Sequence, residues 1–120
     1  MQTLFADRPI TVIRPLDHLN AATAGEFGRQ LTTAIAAPEI VGVLVDLGQV
    51  TFIDSAGLMA LVLSLKQAKK MQRRFSICSV SAGARMVLEL SQLDRVFEIF
   101  ENVESFEAEN SSVESTGRGW

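Results

Sequence analysis

Cysteine, histidine, excess positive charge and long apolar runs are all scarce in this 120-residue chain, and each shortage removes a class of function. One cysteine, Cys78, excludes an internal disulfide; with a single histidine, His18, it leaves no usual ligand set for zinc. Cys78 falls in a β-prone run and reads as a small core residue without chemistry of its own. Lys and Arg total 11 against 14 Asp and Glu, a formal net charge of −3. That is the wrong sign for a nucleic-acid face, which needs clustered cations. No apolar run approaches the roughly 18 residues that a membrane-crossing helix needs, so no direct membrane insertion is expected. Met1 to Arg8 show neither a basic n-region nor an apolar h-region, which argues against a secretory leader. The expectation is a cytoplasmic protein with no metal and no cofactor, in which the Asn110-Ser111-Ser112 glycosylation pattern is idle.

What is present is enough apolar residue, 48% of the chain, to build one small core. Thr3–Phe5 and Ile10–Arg14 are β-prone and flank Asp7-Arg8-Pro9, the pattern of a hairpin. Ala24, Phe27, Leu31 and Ile35 recur at three- and four-residue steps, with Glu26, Arg29, Gln30 and Thr33 opposite, which predicts an amphipathic helix closed by Pro38. Asn20 or Thr23 is placed to cap it. Gly25 and Gly28 each weaken that helix by roughly 1 kcal/mol against alanine, so packing must hold it.

Val41–Leu47 is continuously apolar, as expected of a parallel strand covered on both faces. Val50–Ile53 is a short β-like piece leading into a helix over about 56–72. Phe75–Val80 reads as a strand, Ser81 as the cap of a helix over Ala82–Ser91, Val96–Phe100 as a last strand and Val103–Glu109 as an acidic helix. Residues 110–120 are Ser/Gly-rich and aperiodic, the composition of a disordered tail after a 1–109 domain. Strands alternating with helices imply an α/β sheet.

The chemistry concentrates at Val50-Thr51-Phe52-Ile53-Asp54-Ser55-Ala56-Gly57-Leu58. Three roles compete for Ser55. The plainest is an N-cap, whose hydroxyl oxygen accepts a first-turn N–H and adds about 1 kcal/mol; the reciprocal capping box is missing, because Leu58 stands where Glu or Gln would. A hydrolase nucleophile elbow needs glycine on both sides of the serine, and Ile53 occupies the first position, while His18 precedes the serine instead of following it. The third role is a regulatory phosphoacceptor. A phosphate there carries about −1.5 to −2 charge, favoured by the helix N-terminus and repelled by Asp54. In the helix that follows, Leu58, Leu61, Val62, Leu65 and Ala68 make a sufficient core stripe; the surplus of Met59, Ala60 and Leu63 means either deep burial or an exposed contact patch, and in a small domain the patch is the favoured reading.

These residues resemble the STAS domain family, and within it the single-domain bacterial anti-sigma factor antagonists. The likeness runs from about Ile10 to Ile99 and rests on three stretches: the ungapped Val45-Asp46-Leu47 through Leu58, the turn-like Pro15 to Ala24, and Ser79-Val80-Ser81 with Leu90 to Phe97. It implies a mixed four- to five-stranded sheet with about four helices packed mainly on one side. It also implies partner switching. The unphosphorylated antagonist binds an anti-sigma factor that doubles as a serine protein kinase, phosphorylation ejects it, and a PP2C-type phosphatase resets it. On this resemblance Ser55 matches the phosphoacceptor and Asp54 the acid before it. Gly57 and Leu58 match the turn into the contact helix, and Asn20, Thr23, Ala56, Met59 and Leu63 complete the partner-binding set. Such antagonists are monomers or weak dimers, and non-enzymatic.

Two departures stand out: Asp17 where the family usually has glycine, and Asn20 where it usually has aspartate. Ala56 replaces a second hydroxyl residue, leaving Ser55 the only hydroxyl in the turn. His18 reads as an ordinary loop histidine, and Lys66, Lys69, Lys70, Arg73 and Arg74 as a solvated helix end. The competing function keeps the fold but drops phosphorylation: a scaffold subunit of a signalling assembly or of a membrane lipid transporter.

Overall fold

The computed structural model describes residues 2–5 and 8–115, with side chains over 9–109. β1 (Gln2–Phe5) and β2 (Arg8–Ile13) form the expected antiparallel hairpin. β3 (Asp17–Leu19) follows, then α1 (Ala24–Ala36), β4 (Gly42–Asp46), β5 (Val50–Ile53) and α2 (Ser55–Lys70). β6 (Arg74–Cys78), α3 (Ala82–Leu90), a single 3-10 turn at Leu93–Arg95, β7 (Glu98–Phe100) and α4 (Val103–Ser115) complete the order. The main sheet is five-stranded, β1-β2-β4-β6-β7, and every pairing after the hairpin is parallel.

β4 lies at the centre of that sheet and its side chains explain why. Val43 and Val45 point to one face and Leu44 to the other, all three buried, which is what an unbroken apolar strand needs. On the first face Phe75 and Ile77 of β6 join them beneath Phe27, Leu31 and Ile35 of α1, Leu58, Leu61 and Leu65 of α2, and Leu88 of α3. On the second face Ile10, Val12, Leu44 and Cys78 are covered by Phe106 of α4. Three helices therefore share one side and α4 takes the other. Cys78 is fully buried there, and desolvation pushes its thiol pKa up.

Four expectations change. β3, a strand of three residues, lies where a turn was expected and pairs in parallel with β5 as a separate two-stranded sheet. His18 is accordingly a strand residue, exposed, with its ring edge-on to Phe52 at 6.1 Å between centroids. Arg73 and Arg74 are not part of a solvated helix end. Arg73 donates from Nε to the Ile35 carbonyl at 3.1 Å and from Nη2 to that of Ala37 at 3.3 Å, closing the C-terminus of α1, where orphan carbonyls gather. Arg74 pairs with Glu98 and Glu109. The α4 backbone runs on through Ser115, past the stop expected at Glu109, and residues 116–120, Trp120 included, lie outside the described residues.

Candidate functional site

The turn into α2 is built by Asp54. Its backbone is extended (φ −114°, ψ −170°), and its Oδ1 accepts from the Ala56 N–H at 2.9 Å and the Gly57 N–H at 3.1 Å. Asp54, not Ser55, is therefore the N-cap, and the capping role weighed for the serine is already filled. The carboxylate is the better choice, because an anion at a helix start also meets the positive end of the dipole. Ser55 becomes the first helical residue. It is exposed, and among the described residues its hydroxyl has no hydrogen-bond partner.

A second turn lies beside it. The Asp54 N–H donates to the carbonyl of Leu19 at 3.0 Å, so the start of α2 is tied to the end of β3. The next residue, Asn20, folds its side chain back, with Oδ1 accepting from Ala22 N–H at 2.9 Å and Thr23 N–H at 3.2 Å. The Thr23 hydroxyl donates to the His18 carbonyl at 2.8 Å and accepts from the Asn20 N–H at 3.0 Å. Asn20 and Thr23 thus lock each other and the loop; neither side chain caps the first turn of α1 as expected.

Gly57 and Leu58 are buried, so they shape the site from beneath and present no surface to a partner. A Cβ at Gly57 would stand 2.5 Å from the Leu19 carbonyl oxygen and 2.8 Å from its Cβ. Only glycine lets α2 approach β3 this closely. Asp17, at φ +61°, is left-handed, which accounts for the glycine usual at its position; aspartate is among the residues that tolerate that conformation.

Beyond the turn, Ala56, Met59 and Leu63 line one wall of a groove of about 360 Å³ between α2 and α1, with Ala24, Gly25 and Gly28 on the other. Met59 and Leu63 are 54% and 56% exposed, so these two members of the expected patch are large apolar side chains at the surface. Ala60 is not part of it. It is buried against α1, where a Cβ at Gly28 would meet its own Cβ at 3.9 Å. The glycine pair spaced i, i+3 on α1 was legible only as a weakness of that helix; facing α2, it opens the groove. Sequence reasoning also missed Leu19, whose backbone joins the two turns.

The α/β fold thus brings together an exposed, unengaged hydroxyl beside a capped helix start, a hydrogen-bonded second turn and an apolar groove. Among the described residues no cluster of His, Cys, Asp and Glu is fit to hold a metal, and no helix is long and apolar enough to cross a membrane. The chain belongs to the STAS domain family, whose pattern matches residues 4–106. It is 30% identical over 81 residues to BtrV of Bordetella bronchiseptica, a candidate anti-sigma factor antagonist, covering 68% of this chain and 69% of that one. Its fold matches a candidate anti-sigma factor antagonist of Thermotoga maritima with a TM-score of 0.78 at 23% identity over 92% of each chain. It also matches the Bacillus anti-sigma factor antagonist SpoIIAA in its unphosphorylated form, with a TM-score of 0.71 at 16% identity over 100% of this chain and 98% of that one.

Proposed function

We propose that this protein is an anti-sigma factor antagonist that works by partner switching, with Ser55 as its phosphoacceptor. The observation that carries the reading is the division of labour at the α2 turn. Asp54 holds the helix start, so Ser55 is spared that task and offers a free hydroxyl to a kinase. In the transfer the Ser55 oxygen bonds to the γ-phosphorus of ATP, the bond to ADP breaks, and the serine proton passes to a base of the kinase.

The first-turn N–H groups of Ala56 and Gly57 are already taken by a carboxylate, so a phosphate on Ser55 finds little stabilisation within the domain and adds about −1.5 to −2 charge to its surface. It repels Asp54 and is carried one residue before Ala56, which lines the Met59–Leu63 groove. The fold persists while the docking surface becomes hostile to an apolar or acidic partner. Asn20 in place of an acid leaves one negative charge fewer beside that phosphate. The partner surface on this reading comprises Asn20, Thr23, Asp54, Ala56, Met59 and Leu63. The partner is an anti-sigma factor with serine-kinase activity, a PP2C-type phosphatase removes the phosphate, and the domain itself is a non-enzymatic cytoplasmic protein.

The test is binding of the purified anti-sigma factor to Ser55→Ala and Ser55→Asp by calorimetry, with intact-mass measurement after incubation with ATP. Ser55→Ala should bind like the unmodified protein and take no phosphate. Ser55→Asp should bind at least about tenfold more weakly, a difference of about 1.4 kcal/mol. Equal affinities would refute the switch and leave the scaffold role.

A further inference from the structure

The largest apolar exposure among the described residues is not at the Ser55 site. Leu90 of α3 is 80% exposed and Met86 60%, with Val96 at 45% in the turn packed on that helix. Ala82, Met86 and Leu90 follow one another at four-residue steps on the outward side of α3, opposite the buried Ala84 and Leu88, and Gly83 lies beside them. Along one flank of this stripe run Arg85 and Glu89, also four residues apart and both exposed. Among the described residues neither makes an ion pair. The space above Gly83 is open, with nothing within 4 Å of where a Cβ would be.

We infer that this face of α3 binds the same face of a second copy, in an antiparallel two-fold pair. The pattern is self-complementary. A two-fold axis passing between Met86 and Val87 sets Leu90 of one copy over the open position at Gly83 of the other. In that same register Arg85 of one copy lies beside Glu89 of the other, and symmetry makes each contact twice. The two methionines meet near the axis, where their flexible thioethers fit an imperfect seam. In an antiparallel helix pair the same flanks face each other, so both Arg85–Glu89 pairs fall along one edge of the contact while Leu90 over Gly83 lines the other. Antiparallel alignment also places opposite ends of the two helix dipoles side by side.

The size of the face sets the strength. Nine residues of helix span only about 13 Å, so the contact falls short of the roughly 1,200 Å² at which stable interfaces begin. The pair is a weak one, formed at high local concentration, and it leaves Ser55, Met59 and Leu63 on α2 uncovered.

Sedimentation equilibrium from about 20 µM to 2 mM tests it on the full chain. The average mass should climb from monomer toward dimer, with half-association between about 0.1 and 1 mM. Leu90→Arg should stay monomeric. Arg85→Glu alone and Glu89→Arg alone should each raise the dissociation constant at least about tenfold, through paired like charges. An equimolar mixture of those two variants, or the double variant Arg85→Glu/Glu89→Arg, should regain the original association. Circular dichroism confirms that each variant is folded. A mass that stays monomeric to 2 mM overturns the proposal. So does association that Leu90→Arg leaves intact, or a mixture that fails to recover what each single variant lost.

Discussion

The two faces of the central sheet are held down by different physics. Beneath α1, α2 and α3 the contacts are apolar and numerous, with Leu31, Leu61 and Ile77 wholly sealed from water. Beneath α4 the apolar cluster is small, and an ionic clamp completes it. Arg74 donates from Nε to Glu98 Oε1 at 2.9 Å and from Nη2 to Glu98 Oε2 and Glu109 Oε1, both at 2.8 Å. Its guanidinium also lies 5.0 Å from the ring centre of Phe106 and 5.6 Å from that of Phe100. The buried Ser76 hydroxyl donates to Glu98 Oε1 from below. The lesson is that the three-helix side, which positions the Ser55 turn, should respond to lost volume, whereas the α4 side should respond to pH as well.

Cutting into the apolar side has the largest expected effect. Leu61→Ala leaves a cavity between α2 and the sheet and should cost about 3–4 kcal/mol in urea unfolding. The ionic side is the next test. The Arg74 hydrogen bonds hold the Glu98 pKa below its ordinary 4.5, against the opposing pull of burial and with help from Ser76. A carboxylate depressed in the folded state contributes stability that is present above the unfolded value and lost as pH falls through the folded one. Glu98→Gln should therefore be less stable than the parent by up to about 1 kcal/mol near neutrality, Glu98 being partly exposed. The gap should narrow as pH drops below about 4.5, while Leu61→Ala should show no such narrowing. The smallest effect belongs to the turn: Asp17→Gly, at φ +61°, should change stability by no more than about 1 kcal/mol, with strain relief opposed by added chain entropy.

Most of the fold was legible because its elements carry strong periodic signals, such as Phe27, Leu31 and Ile35 on α1 or the unbroken run through β4. β3 was hidden because Asp17-His18-Leu19 is too short to alternate, follows a proline and begins with a left-handed residue. The boundary at Ser55 was read one position late: both Asp54 and Ser55 are good caps, and only the geometry shows which oxygen meets the N–H groups. Ala60 counted as surplus because a core stripe was already complete without it. What buries it is the close approach of α1 at Gly28, a contact between distant stretches that periodicity within one helix cannot reveal. The surface patch of Met59 and Leu63 survived this, since it depended only on which residues the stripe left out.

The backbone of Leu19 carries a consequence of its own. Its carbonyl receives the N–H of Asp54 and also stands where a side chain on Gly57 would have to go, so α2 can neither slide along β3 nor lift away from it without losing one contact or the other. The separation between the Asn20 turn and the Ser55 turn is in effect a fixed gauge. On the proposed function, a partner that grips both turns meets them at the spacing that this hydrogen bond and this close approach set.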